Sequence, residues 1–153
     1  MRDRNPAVNQ PEMRIGGLDV GDRRIGVAVS DEQGWTAQGL AVVGRTRLDA
    51  DLEALRTTFA PYAPTSIVIG LPKNMNGTIG PQAEKVLAFA REVERALGVP
   101  VVMWDERLST VGAERVLLEA DLSRAKRRKV IDKVAAVFIL QGYLDSVQLA
   151  RER

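Results

Sequence analysis

The run Ser66 to Gly70, SIVIG, constrains the fold more than any other stretch. Ile67, Val68 and Ile69 leave no polar face, so a strand here has to be covered on both sides. Helical patterns flank it. Leu48, Leu52, Leu55 and Phe59 recur at helical spacing, predicting a helix over Asp49 to Tyr62 that Pro61 and Pro64 end. Val86, Phe89, Val93 and Leu97 predict a second over Gln82 to Leu97, stopped by Gly98 and Pro100. A doubly covered strand between two helices is the pattern of an α/β sheet.

The stretch Met13 to Asp31, MRIGGLDVGDRRIGVAVSD, reads as two strands joined by a tight loop, because Ile25, Val27 and Val29 alternate and Gly21 and Gly26 bracket Asp22-Arg23-Arg24. Gly34 to Val43 reads as a third strand and Val99 to Trp104 as a fifth. Thr110 to Glu119, with Ser109 as N-cap, reads as a helix, and Lys129 to Leu149 as the last one. Three meandering strands followed by alternating helices and strands predict a mixed five-stranded sheet with helices on both faces. In such sheets ligands gather at the carboxyl ends of the strands. The chain of 153 residues reads as a single domain over residues 13–150, preceded by a flexible polar arm over residues 1–12. Neither a signal peptide nor an apolar run of ~18 residues is present, which predicts a cytoplasmic protein with no membrane partner.

Chemistry is bounded by two absences. With no Cys there is no thiolate nucleophile, and with no His there is no Ser-His-Asp triad and no imidazole ligand. What remains is carboxylates, cations, hydroxyls and oxygen-liganded metals such as Mg²⁺ or Mn²⁺. Asp19 interrupts an apolar strand, where a buried carboxylate is costly unless paired, hydrogen-bonded or metal-bound, and Gly17 leaves room on its face. Asp105 and Glu106 fall at the end of the fifth strand, and Asp132 interrupts an apolar face of the last helix. If the first and last strands end near each other and that helix crosses the edge, these acids meet, and a divalent cation relieves their repulsion. Taken singly each has a plainer explanation: Asp105 as a turn residue, Asp132 as a partner of Arg128.

Cations flank the acids. Arg23 and Arg24 follow Asp19, and Arg107 follows Glu106. Arg124, Lys126, Arg127, Arg128 and Lys129 lead to Asp132, and Lys73 and Asn74 open a loop before a helix N-terminus. The net charge of only +2 does not itself point to nucleic acid, but basic residues beside each acid are what a phosphate backbone requires. Gly21 to Gly26 has phosphate-loop spacing but lacks the Lys-Ser/Thr of a Walker A motif.

Four ordered motifs together resemble one family. Leu18-Asp19-Val20-Gly21 with Arg24 to Asp31, Gly70-Leu71-Pro72 with Asn74-Met75 and Gly77, Asp105 to Thr110, and Ile131-Asp132 with Ala135-Ala136, Ile139 to Gln141 and Tyr143 to Asp145 are similar to the motifs of the YqgF/RuvX proteins. The resemblance implies an RNase H-like, RuvC-like fold and a bacterial nuclease that matures the 5′ end of the 16S rRNA precursor. It implies metal ligands at Asp19, at Asp105 or Glu106, and at Asp132. Asn76 and Lys73 depart from the pattern, where an Asp and an apolar residue are common. The expected activity is Mg²⁺- or Mn²⁺-dependent phosphodiester cleavage, with precursor rRNA or branched DNA and ribosomal particles as partners, by a monomer or homodimer. A resolvase of four-way DNA junctions and a non-catalytic, nucleic-acid-binding assembly factor are the alternatives.

Overall fold

The computed structural model describes residues 14–108 and 124–151, and over residues 124–132 the description is of the helix backbone. The strands are β1 (Ile15–Val20), β2 (Arg24–Ser30), β3 (Ala37–Gly44), β4 (Ser66–Leu71) and β5 (Val101–Asp105). The helices are α1 (Leu48–Phe59), α2 (Pro81–Leu97) and α3 (Arg124–Arg151). A single 3-10 turn, Glu106–Leu108, follows β5. The sheet order is β3-β2-β1-β4-β5, with β1, β2 and β3 antiparallel and β1, β4 and β5 parallel.

Each face of the sheet has its own core, as the SIVIG run requires. Leu18, Val20, Ile25, Val27, Ile67 and Ile69 pack under α1 and α2 with Leu55, Phe59, Val86 and Phe89. Ile15, Ala28 and Val68 pack under α3 with Ala136, Ile139, Leu140 and Leu144. A fully buried aliphatic side chain contributes about 1.5–3 kcal/mol, so the alternation of Ile67, Val68 and Ile69 between the two cores pins the register of β4.

The ends of several elements differ from the sequence reading. β3 starts at Ala37, not Gly34, because the Asp31 carboxylate accepts hydrogen bonds from the Trp35 amide (2.8 Å) and the Thr36 hydroxyl (3.3 Å) and closes a turn there, with Gly34 at φ 74°. α1 ends at Phe59, two residues before Pro61, and Tyr62 and Ala63 both donate their amides to the Phe59 carbonyl. α2 begins on Pro81 and ends at Gly98 in the left-handed region at φ 71°. α3 starts at Arg124, not Lys129, so Arg124 to Lys129 is part of the helix and not a segment leading into it. The predicted helix Thr110 to Glu119 lies outside the described residues, as does the arm. Among the described residues no helix is long and apolar enough to cross a membrane.

Candidate active site

β1, β4 and β5 are parallel neighbours and end at one edge of the sheet. Asp19 stands near that end of β1 and is 7% exposed. Its face follows from its neighbours. Leu18 and Val20 belong to the core under α1 and α2, whereas a Cβ on Gly17 would meet Leu140 Cβ of α3 at 2.8 Å. Asp19 therefore faces α3. Its strand partner on β2 is Gly26, and continuing the Leu18–Ile69 pairing by one residue puts Gly70 of β4 on its other side. The carboxylate sits between two residues without side chains, and the room they leave is filled on one side by a second acid. Glu106 Oε1 lies 2.8 Å, and its Cγ 3.0 Å, from the position a Cβ on Gly70 would take.

This arrangement separates the two acids that the sequence left as alternatives. Trp104 pairs with Gly70 and packs in the α3 core, so Asp105, one residue on and paired with Leu71, points away from α3. The 3-10 turn then swings Glu106 back over Gly70. Asp105 is held elsewhere. Its Oδ2 accepts from Arg107 Nη2 at 2.7 Å, and its Oδ1 from the Arg107 amide at 2.9 Å. The Arg107 guanidinium holds the Asp105 carboxyl below the usual carboxylate range, with Lys73 adding a smaller pull, and Asp105 in turn raises Arg107.

Arg107 also reaches the loop after β4. Its Nη1 donates to the Met75 carbonyl at 3.3 Å, against Gly77 at φ 86°. Asn74 Nδ2 donates to Thr78 Oγ1 at 2.9 Å, and Asn76 Oδ1 accepts from the Thr78 hydroxyl at 2.6 Å. The side chains of Asn74 and Arg107, both expected to meet nucleic acid, thus also hold the loop in shape. Arg23 is exposed and Lys73 half-buried. Arg24 starts β2 two residues before Gly26, on the same face as Asp19 by strand alternation.

Asp132 and the cations Arg124, Lys126, Arg127, Arg128 and Lys129 have side chains outside the described residues. Their backbone belongs to the first turns of α3. α3 runs from the Asp19 end of β1 toward the other edge, where Gln148 Nε2 donates to the Gly34 carbonyl at 3.1 Å. Ala136 and Leu140 lie over Gly17. On the same helix, Ile139 lies over Gly70, beside Asp19.

The donor set suits a hard divalent cation. Asp19 and Glu106 offer only carboxylate oxygens, and no His or Cys competes. A Cβ at position 70 would crowd both Ile139 Cδ1 at 2.6 Å and the Glu106 carboxylate at 2.8 Å, so glycine gives the second acid its room. Among the described residues no group of three acids gathers. Reading the sequence alone missed the role of Gly70, although a glycine closing an otherwise apolar buried strand was a signal. It also missed Arg45 and Asp51. Asp51, in the first turn of α1, is buried at 3% exposure and paired with Arg45.

A family model described as "RuvX: Holliday junction resolvase" matches residues 13–146. A protein of Desulforamulus reducens named "Putative pre-16S rRNA nuclease" is 58% identical over 134 residues, covering 88% of this chain and 98% of the relative. One of the same name from Moorella thermoacetica is 62% identical over 133 residues, covering 87% and 95%. Among solved structures, Thermus thermophilus RuvC in complex with a Holliday junction substrate superposes with a TM-score of 0.58 at 15% identity, covering 88% of this chain and 96% of that one. The fowlpox virus Holliday junction resolvase superposes with a TM-score of 0.52 at 17% identity, covering 88% and 99%. Those two likenesses show the shared RuvC-like, RNase H-like fold. The match over nearly all of the described domain and the identity to full-length relatives establish that this chain belongs to the RuvX family.

Proposed function

We propose that the chain is a divalent-cation-dependent endonuclease that hydrolyses phosphodiester bonds of the 16S rRNA precursor, working in the cytoplasm on ribosomal particles or their RNA. The observation that carries the reading is the buried Asp19 between Gly26 and Gly70, with the Glu106 carboxylate over Gly70. Support for the substrate comes from the name carried by relatives 58% and 62% identical over almost their whole length.

Asp19, Glu106 and Asp132 are the residues that would hold Mg²⁺ or Mn²⁺. When bound, the cation neutralises charge at the reacting phosphate and polarises the attacking water. The remaining work falls to the chain's own cations. Arg23 and Arg24 on the turn after Asp19, and Lys73 on the loop after β4, lie on either side of the acids and grip phosphates flanking the scissile one. The basic first turns of α3 extend that grip along the strand. Asp105 and Arg107 shape the site by tying the 3-10 turn to the loop at Met75. Hydrolysis adds water across one P–O bond and leaves a phosphate monoester and a hydroxyl.

The test is cleavage of a precursor rRNA fragment and a four-way DNA junction side by side. Each is run with Mn²⁺, Mg²⁺ or chelator, using the parent and Asp19→Asn. RNA cutting that needs the cation and falls at least ~100-fold in Asp19→Asn is the expected result. Undiminished cutting by Asp19→Asn under saturating cation overturns the mechanism. Cutting of the junction alone, by a dimer, replaces the reading with a resolvase. Salt-dependent binding without cutting, indifferent to chelator, replaces it with an assembly factor.

A further inference from the structure

The turn Gly21 to Arg24 joins Asp19 to two of the cations proposed to grip phosphate, so its position sets theirs. On its own it is short and glycine-led, closed by one hydrogen bond from the Gly21 amide to the Arg24 carbonyl at 2.9 Å. On its exposed side Asp22 accepts from Gln82 Nε2 at 3.4 Å and pairs loosely with Lys85 at 3.8 Å, whereas its buried support comes from one residue at the end of β3. Arg45 donates its backbone amide to the Arg23 carbonyl at 2.8 Å, and its Nη1 to the Gly21 carbonyl at 2.9 Å. One side chain and its own backbone therefore clamp the turn at both ends.

Arg45 is itself held from below. Its Nε lies 3.4 Å from Asp51 Oδ2, and the other Asp51 oxygen accepts from the Thr46 amide at 2.9 Å. Its guanidinium carbon lies 4.6 Å from the centroid of the Phe89 ring, in cation–π range. Asp51 and Phe89 are 3% and 5% exposed. A carboxylate so buried is tolerated only because Arg45 and the Thr46 amide satisfy it. The cluster ties α1, α2 and β3 to the turn from the face opposite the acids. Arg45 remains 24% exposed but its donors point at Gly21 and Asp51, not outward at a substrate.

We propose that Arg45 is a positioning residue for the candidate site: backed by Asp51 and Phe89, it fixes the Gly21 to Arg24 turn and so the places of Asp19, Arg23 and Arg24. The inference rests on the nuclease reading for its kinetic consequence, but not for its structural one. A misplacement of the order of 1 Å costs a site about 100-fold, while phosphate contacts made by exposed cations tolerate more.

The test uses Arg45→Met, which keeps length over Phe89 and the backbone bond to Arg23 but has no side-chain donor, together with Arg45→Lys and Asp51→Asn. Amide exchange is followed across the chain, and the kcat and KM for the precursor rRNA fragment are measured with Mn²⁺. In Arg45→Met the Gly21 amide exchanges about tenfold faster while the amides of β4 and α2 stay as in the parent. kcat falls about 10- to 100-fold with KM within about twofold. Arg45→Lys, with one donor restored to Gly21, recovers part of both, and Asp51→Asn shows a weaker form of the same pattern. Unchanged exchange at Gly21 in Arg45→Met overturns the proposal, and so does faster exchange spread evenly over the fold, which would make Arg45 a general stabiliser. A parent that binds without cutting, combined with local loosening in Arg45→Met, retires the nuclease reading and leaves the clamp standing.

Discussion

Gly70→Ala separates the stability of the fold from the competence of the site. A Cβ at position 70 would stand 2.6 Å from Ile139 Cδ1, 2.8 Å from Glu106 Oε1 and 3.0 Å from Glu106 Cγ. All three distances lie at or inside the closest approach that carbon and oxygen tolerate, so something moves. What moves is cheap in energy, because the first two atoms are the ends of flexible side chains and not backbone. Ile139 is fully buried, and re-seating its Cδ1 costs about 1–2 kcal/mol as mild overpacking. Replacing a strand glycine by alanine returns about 0.5–1 kcal/mol, so the net loss is about 0–1.5 kcal/mol and the melting temperature falls by a few degrees. Glu106 has no such compensation. Its carboxylate has to shift away from position 70 by a fraction of an ångström, and cleavage falls about 10- to 100-fold. The assay pairs thermal unfolding with single-turnover cutting of the precursor fragment in Mn²⁺. Gly44→Ala serves as the control, since a Cβ there meets nothing within 4 Å. If Gly70→Ala folds and cuts like the parent, Glu106 over Gly70 is not part of the site.

Other perturbations read different parts of the same arrangement. Gly17→Ala drives a Cβ to 2.8 Å from Leu140 Cβ and 3.4 Å from the Ala136 carbonyl, rigid parts of α3, so denaturant unfolding should show a loss of about 1–3 kcal/mol. Adding Leu140→Ala should not rescue it, because the offending atom is the Cβ that alanine retains. Arg23→Ala should lower the slope of log binding constant against log salt by about 1 without changing the fold, as expected for one lost phosphate contact. Arg107→Ala should leave the melting temperature close to the parent's but speed amide exchange at Asn74 and Gly77, whose loop loses its tie to the 3-10 turn.

The large features of the fold were legible because each follows from a pattern with one physical solution. An all-apolar strand needs two covers, and Ile67, Val68 and Ile69 indeed alternate between two cores. Gly17 was read as clearance above the sheet, and α3 fills it. Element ends were less legible, since they depend on side chains that compete for backbone groups. Asp31 capturing the Trp35 amide delays β3, and nothing in the Gly34 to Val43 pattern announces it. The choice between Asp105 and Glu106 was beyond the sequence for the same reason. One residue of uncertainty at the end of β5 reverses which acid faces α3.

The Arg45 cluster was illegible for a different reason. Its parts are scattered over β1, β3, α1 and α2, and each alone has an ordinary role: a basic residue after a strand, an acid in a first helical turn, an aromatic on a helix face. Only the sheet order, which sets the end of β3 beside the β1–β2 turn, makes them one object. The acids differ in that respect. A carboxylate inside an apolar strand has an energetic cost visible without coordinates, and that cost is the signal that pointed to Asp19. Residues that reposition such a group carry no comparable penalty of their own and become visible only once their partners are known. The same contrast predicts where substitutions mislead: changes at Asp19 and Glu106 should act on cleavage directly, whereas changes at Gly70 and Arg45 should act on it through placement, with the protein still folded and still binding RNA.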